Sequence, residues 1–455
     1  MNRHLIIGRF GSSDRLPVPA AVGEVSTRLE FVVGRRRLGH GIGDALDDLA
    51  HLGVFPSEIG LDLLVLAAHV HAADTRISRA TESQDTWTRE IRLVVPVSDP
   101  ARWSAATVLL QRMLNFLTGD RWTMGFRARP AGFQTIAPTR PPRLAPPPFN
   151  SLALFSGGLD SLIGAIDALE SGRVPLFISH AAEGATSASQ EKLFRGLKRN
   201  YPRLNFDRLR IWMTFPDGLV RNVGSEKTTR GRSFLFFAAG VFAGTGLPGR
   251  FTLRVPENGL IALNVPLDPL RLGALSTRTT HPFYMARWND LAAALGIHGG
   301  IENPYWDKTK GEMVENCTNR ALLSRLLPDA LSCASPTKGR WRGRGIEHCG
   351  YCLPCLIRRA AILKGLGTAD PTSYTLSDLT AHVLDTRDAE GQQARSFQFA
   401  IERLRARPQL AELLIHKPGS LTDESPARKT ALAAVYRRGL DELADLLTDV
   451  QTAPS

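Results

Sequence analysis

Two groups of residues in this 455-residue chain have the types and spacing to do chemistry. The first is Ser156-Gly157-Gly158-Leu159-Asp160-Ser161. Before it, Leu152-Ala153-Leu154-Phe155 is a short apolar run, the pattern of a strand buried on both faces of a parallel sheet. After it, Leu159, Leu162, Ile163, Ile166 and Leu169 recur at helical spacing. The hexapeptide therefore reads as a strand-to-helix turn. Two residues without side chains let a ligand approach the backbone closely. The unpaired N–H groups of the helix's first turn favour an anion, so phosphate binding is the chemistry this turn suits. The Lys of G-x-x-x-x-G-K-[ST] is missing, and so is G-x-G-x-x-G. A plain βα turn with capping Ser and Asp is the structural alternative.

The second group is Cys333, Cys349, Cys352 and Cys355, four of the five cysteines. Three thiols within Cys349-x-x-Cys352-x-x-Cys355 are badly placed for disulfides and well placed to converge on one ion. Cys333 supplies a fourth ligand. Tetrahedral Zn²⁺ suits four thiolates, and an iron–sulfur cluster is the main competitor. The basic stretch Lys338–Arg344 would offset the charge of a tetrathiolate. Cys317 reads as a helix-core residue.

These groups need a scaffold, and the composition supplies one. The chain is 43% hydrophobic and 22% charged, ordinary for a globular protein with room for two or three domains. No run approaches the roughly 18 apolar residues of a membrane span, and Met1–Phe10 is too short and mixed for a signal peptide, so a cytoplasmic protein is expected. The net charge of +12 suits ATP-like anions and permits nucleic acid. The Arg35-Arg36-Arg37 cluster reads as solvated surface.

Residues 1–137 form one candidate unit, expected to be α+β and to recognise a partner. Leu29–Val33 and Glu90–Val95 alternate like strands, whereas Ile59–His71 and Ala101–Leu117 read as helices. The second helix offers Trp103, Val108, Leu109, Met113 and Phe116 to a core and Gly119 as its C-cap. His69, His71 and Asp74 have metal-ligand chemistry, but residues two apart on a helix do not face each other, so they read as helix surface. Residues 138–150 are a proline-rich linker. From Ser151, strands at Leu152–Phe155, Leu176–Ile178 and Leu209–Met213 alternate with helices, which implies an α/β, doubly wound parallel sheet over residues 151–365. Residues 366–455 read as a helical C-terminal extension.

Ser156–Ser161 resembles the PP-loop of the ATP pyrophosphatase superfamily, whose members cut ATP between its α- and β-phosphates and use the AMP to activate a carbonyl oxygen. Followed by Cys349-Gly350-Tyr351-Cys352-Leu353-Pro354-Cys355-Leu356-Ile357-Arg358, it resembles the QueC-like (7-cyano-7-deazaguanine synthase) family over residues 151–365. Pro304–Val314, with Lys310 and Glu312, and Arg232-Ser233 before a helix are similar to further segments of that family. Glu257-Asn258-Gly259 and Ser276–Pro282 resemble its defence-associated branch, such as the QatC component of Qat anti-phage systems. Three features depart from the family. Ser179-His180-Ala181 stands where it has Tyr-Gly-Gln, the stretch around Arg278 and His281 replaces its substrate segment, and the Cys333–Cys349 spacing is longer.

The resemblance implies a PP-loop, HUP-like sheet with ATP, Mg²⁺ and Zn²⁺ as cofactors. Ser156, Gly157, Gly158, Leu159, Asp160 and Ser161 would hold ATP, and Asp160 would cap the helix or help place Mg²⁺. Lys310 and Arg232 would neutralise the departing pyrophosphate. His180, Arg278 and His281 are the substrate candidates. A 7-deazaguanine carboxylate would be adenylated and then attacked by ammonia or by an amine of a protein partner from the same defence operon. A PP-loop tRNA-thiolating enzyme and a nucleotide-gated scaffold in a defence complex are the alternatives.

Overall fold

A computed structural model describes residues 3–34, 37–83, 85–181, 184–226, 228, 230–267, 278–343, 345–367 and 370–454. The cluster at Arg35-Arg36, part of the segment before Arg278, and Arg344 fall outside the described residues.

Two parallel sheets carry the chain. The first joins β1 (Arg3–Arg9), β2 (Glu24–Glu30), β3 (Glu90–Val97) and β4 (Arg121–Ala128) in the order β2-β1-β3-β4, every pair parallel. The expectation of an α+β unit is thereby corrected. Parallel neighbours need crossover connections, and here one crossover is α1 (Glu58–Arg76). The Ala101–Leu117 helix is split into Pro100–Ala105 and Thr107–Thr118. Gly119 ends it in a left-handed conformation, as a C-cap glycine should, while Val108 faces solvent.

The second sheet contains β5 (Ser151–Leu154), β6 (Pro175–His180), β7 (Asp207–Ile211), β8 (Phe251–Arg254) and β9 (Gly299–Glu302). It is parallel throughout, in the order β9-β8-β5-β6-β7. Strands added after β5 run outward on one side, and those from β8 onward on the other. The order reverses between β5 and β8, and the crevice at the carboxyl ends there is where ligands bind in such sheets. The Ser156 turn leaves β5 at that crevice.

Helix α1 is buried from Gly60 to Thr75 on every face, because it lies between the first sheet and α2 (Arg232–Gly244). A single apolar core therefore runs from Ile6 and Leu93 through α1 to Leu152 and Leu209. This packing overturns the surface reading of His69, His71 and Asp74, all of which are buried. His69 Nδ1 meets the Val65 carbonyl at 2.7 Å, and the His71 ring stands edge-on to His180 at 5.5 Å. Asp74 accepts the Gly231 N–H at 2.7 Å and so anchors the start of α2. Its carboxylate also belongs to a dry ion cluster. Arg89 reaches Asp74 at 3.1 Å and Asp120 at 2.6 Å, and Arg79 reaches Asp120 at 2.6 Å. Arg89→Met should cost about 3 kcal/mol, because two buried carboxylates then share the single Arg79. Urea unfolding that shows no loss would contradict it.

Residues 138–150 carry no helix or strand and are mostly exposed, as a spacer requires. The C-terminal residues are mainly helical, with Ala389–Ala406 and Pro426–Leu446 as the long elements. Their apolar faces, through Phe397, Leu432 and Tyr436, close a second core against Leu260, Leu263, Leu356 and Ile357. Among the described residues no helix is long and apolar enough to cross a membrane.

Candidate functional site

The turn after β5 is built by its own backbone. Gly157 has φ +83, a conformation side chains rarely adopt, and it is packed between Ser189 and Gln190. Its carbonyl accepts the Leu331 N–H and the Ser189 hydroxyl, both at 2.9 Å. Ser156 and Ser161 hydroxyls meet at 3.2 Å across the turn. The following helix, α3 (Leu159–Glu170), has no capping side chain at Gly158, and Ser332 Oγ instead accepts the Leu159 N–H at 3.2 Å. Gly157→Ala should cost about 1–2 kcal/mol in stability from backbone strain. It should also slow any reaction at the turn by about tenfold through misplacement of the backbone N–H groups. A variant with unchanged midpoint and rate would speak against this.

Asp160, on the first turn of α3, is the hinge of the site. Its Oδ1 lies 2.8 Å from Lys310 Nζ, and its Oδ2 accepts the Asn258 N–H at 3.1 Å and the Asn258 amide at 2.7 Å. Two features make this meeting possible. Gly164 lacks the Cβ that would strike Pro256, so α3 packs directly on the segment after β8. Lys310 begins α4 (Lys310–Glu315), whose N-terminus is fixed by a Thr309–Glu312 capping box.

That helix is braced from far away in sequence. Glu442 accepts from the Thr309 hydroxyl and from the Gly311 N–H at 3.1 Å, and Arg438 pairs with Glu312 at 2.6 Å. Burial pushes the Glu442 carboxyl up to about 7. Neither Glu442 nor Ser332 was signalled by any motif, because each acts through a contact made only in the fold.

A cavity of about 640 Å³ opens in front of the turn. Its walls include Ser156, Gly158, Asp160, Ser161, Glu257 and Lys310. Cys333, Lys338, Cys349, Tyr351 and Cys352 line the same space. The turn and three of the cysteines, far apart in the chain, thus face one space.

The four cysteine Sγ atoms lie within 4.8 Å of one another, positioned to hold a metal ion. Cys333 and Cys352 Sγ are 3.9 Å apart, and Cys349 and Cys355 Sγ are 3.8 Å apart. Zn–S bonds of about 2.3 Å in a tetrahedron put sulfurs about 3.8 Å apart, so these edges fit that ion. A cubane, with each thiolate on its own iron, needs a wider set. The Ser335 and Cys349 N–H groups donate to Cys333 Sγ, and the Cys352 N–H donates to Cys349 Sγ, each at 3.3 Å. Hydrogen bonding among the thiols, with Cys333 the first contributor, drives the Cys349 thiol down and the Cys355 thiol up. Four thiolates in this volume need a cation to share.

Cys352 caps α5 (Leu353–Leu366), and the buried Arg358 of that helix donates to the Ala330 and Leu327 carbonyls at 3.1 and 2.7 Å. Lys338 donates to Tyr351 Oη at 2.7 Å, and the nearby Cys349 and Cys352 help hold its charge. The expected charge offset is thus present at this residue. The cluster is also linked to the turn, since His348 Nε2 accepts the Ser332 N–H at 3.1 Å and Ser332 caps Leu159. Cys317 is buried in the core just past α4.

Four other candidates stand elsewhere. His180, at the end of β6, is buried against His71 and Phe236 and is held neutral, burial first and then Arg232 lowering it to about 4. Arg232 starts α2 with its guanidinium 5.1 Å over the Phe236 ring. Arg278 donates to the Phe116 carbonyl at 2.6 Å and covers the Phe116 ring. His281 caps the Pro282–Ala294 helix, accepting the Phe283 N–H at 3.2 Å, and also packs on Phe116. None of the four lines the cavity. Arg278 and His281 tie their segment to the N-terminal half of the chain, a use that their polar side chains do not announce in sequence.

Comparison of the chain with family models, with curated proteins and with solved structures finds no match.

Proposed function

We propose that this chain is an AMP-forming, ATP-dependent C–N ligase of the PP-loop kind, similar to the QueC-like family. It would adenylate a 7-deazaguanine carboxylate and pass the acyl group to an amine. One observation carries the reading: the Ser156–Ser161 turn, the Asp160–Lys310 pair and three of the four cysteines (Cys333, Cys349 and Cys352) line a single cavity at the switch point of a parallel sheet. ATP would place its phosphates on the turn, with the Asp160 and Ser161 N–H groups of the first turn of α3 as donors. The substrate carboxylate attacks the α-phosphorus, the bond to the bridging oxygen breaks, and pyrophosphate leaves with the electron pair. Lys310 would meet the charge that develops there, with Asp160 holding Lys310 in position. An amine then attacks the carbonyl carbon and AMP departs.

Mg²⁺ fits this reading as the ion that travels with ATP. Zn²⁺ in the cysteine set would act as a structural ion that orders that part of the cavity wall and, through His348 and Ser332, the turn itself. The resemblance to the defence-associated branch extends the proposal to an anti-phage role, with a protein partner from the same operon as a source of the amine.

The test is pyrophosphate release from ATP by the full chain, with and without 7-carboxy-7-deazaguanine. Release that depends on this acid supports the reading, and none with or without it sinks the reading. Intact-mass analysis of co-expressed partners decides the acceptor. A purine adduct assigns it to a protein amine, and its absence with amide formed from ammonia assigns it to ammonia.

A further inference from the structure

An amine that attacks an acyl-adenylate must first lose a proton, because amines are largely protonated at neutral pH. A base is therefore needed inside the cavity, and the cavity holds few candidates. Among the described residues lining it there is no histidine, and the carboxylates are Asp160 and Glu257. Asp160 is committed to Lys310 and Asn258. The cysteines are committed to one another. Lys338 is engaged with Tyr351.

Glu257 is held as a positioned group would be. It follows β8 directly across the switch point from the turn. Its neighbour Asn258 is the residue clamped on Asp160. Asn303 braces its backbone from both sides, accepting the Glu257 N–H at 3.4 Å and donating to the Glu257 carbonyl at 2.7 Å. The Thr280 hydroxyl donates to Glu257 Oε2.

We propose that Glu257 is the general base of the amine step, its Oε1 taking the proton that the incoming ammonium must lose. The nitrogen lone pair then attacks the carbonyl carbon. The C–N bond forms and the C–O bond to AMP breaks. AMP leaves with that electron pair, and the second nitrogen proton passes to solvent. The inference rests on the adenylating reading above.

The electrostatics agree with the geometry. Burial pushes the Glu257 carboxyl up to about 7. The Thr280 hydrogen bond opposes that rise, the Asp160 charge adds to it and Lys310 subtracts. Such a carboxylate is ionised above neutrality and is a stronger base than a surface Glu. Its ionised fraction grows with pH, so amide formation should rise along a limb centred near pH 7 and then level off.

The experiment uses the full chain with ATP, 7-carboxy-7-deazaguanine and ammonium chloride, and it follows pyrophosphate release and amide formation separately. Glu257→Gln keeps the size of the side chain and a partner for Thr280. It should leave single-turnover pyrophosphate release within about threefold and lower amide formation by about 100-fold, with the pH limb abolished. Glu257→Asp should keep the limb at a reduced rate. Thr280→Val removes a hydrogen bond that favours the charged form, so its limb should move to higher pH. A Gln variant that keeps both the amide rate and the limb, or a Thr280→Val limb that stays in place, overturns the assignment while the adenylating reading stands. A wild-type chain that releases no pyrophosphate overturns that reading instead, and this inference with it.

Discussion

Replacing Lys310 by Ala is expected to lower ATP-dependent pyrophosphate release by about 100-fold or more, with the loss in kcat rather than KM. The reason is placement. Lys310 Nζ sits 2.8 Å from Asp160 Oδ1 on the cavity wall, at the start of a helix locked by its capping box and by Glu442. A cation held that firmly contributes most when charge grows on a leaving group and little to ground-state binding. The fold should survive the change. Asp160 keeps two hydrogen bonds from Asn258 on Oδ2, while its buried Oδ1 loses the cation it faces. Stability should fall by about 3 kcal/mol, the cost of a buried carboxylate oxygen left without its partner. Lys192→Ala, an exposed lysine that does not line the cavity, is the control, and its release rate should stay within about threefold of wild type. Unchanged release in the Lys310 variant would remove this residue from the mechanism.

Cys355→Ser should abolish stoichiometric metal binding and destabilise the chain by about 5 kcal/mol or more, provided the metal is present in the parent. Cys355 is fully buried and lies in the first turn of the helix that carries Arg358. An oxygen there is a poor ligand for a soft-liganded site, and three remaining thiols cannot close a tetrahedron. Because His348 and Ser332 connect this segment to Leu159, the variant should also weaken nucleotide binding at the turn. Elemental analysis of the purified chains reads the first effect and thermal unfolding the second. Equal metal content in variant and parent would show that these thiols do not form the site. Iron in the parent, with the visible absorption of a cluster, would turn the reading toward a PP-loop thiolating enzyme.

Much of the site is written locally and could be read locally. A strand run, two glycines and a helical repeat place Ser156–Ser161 on a βα turn, because hydrophobic periodicity and glycine's backbone freedom act over a few residues. Three cysteines at intervals of three converge for the same reason, as α5 begins within their spacing. The all-parallel first sheet was not legible. Strand direction depends on how the crossovers pack, and short alternating runs look alike in parallel and antiparallel pairs. Nor was the burial of His69, His71 and Asp74. Their helix is polar enough at those positions to pass for a surface element, and only the sheet on one side and α2 on the other enclose it.

By itself, then, the sequence determined the glycine-containing βα turn, the thiol cluster and the βαβ succession, all consequences of interactions between near neighbours. Only the tertiary structure decided that Lys310 meets Asp160, that Glu257 and Asn258 stand across the switch point, and that Glu442 braces the helix beneath them. It also decided that Arg278, His281, Arg232 and His180 make packing contacts and are not among the residues lining the cavity. Such contacts join residues far apart in the chain, and their partners are chosen by how helices and strands fill space, which no local pattern records.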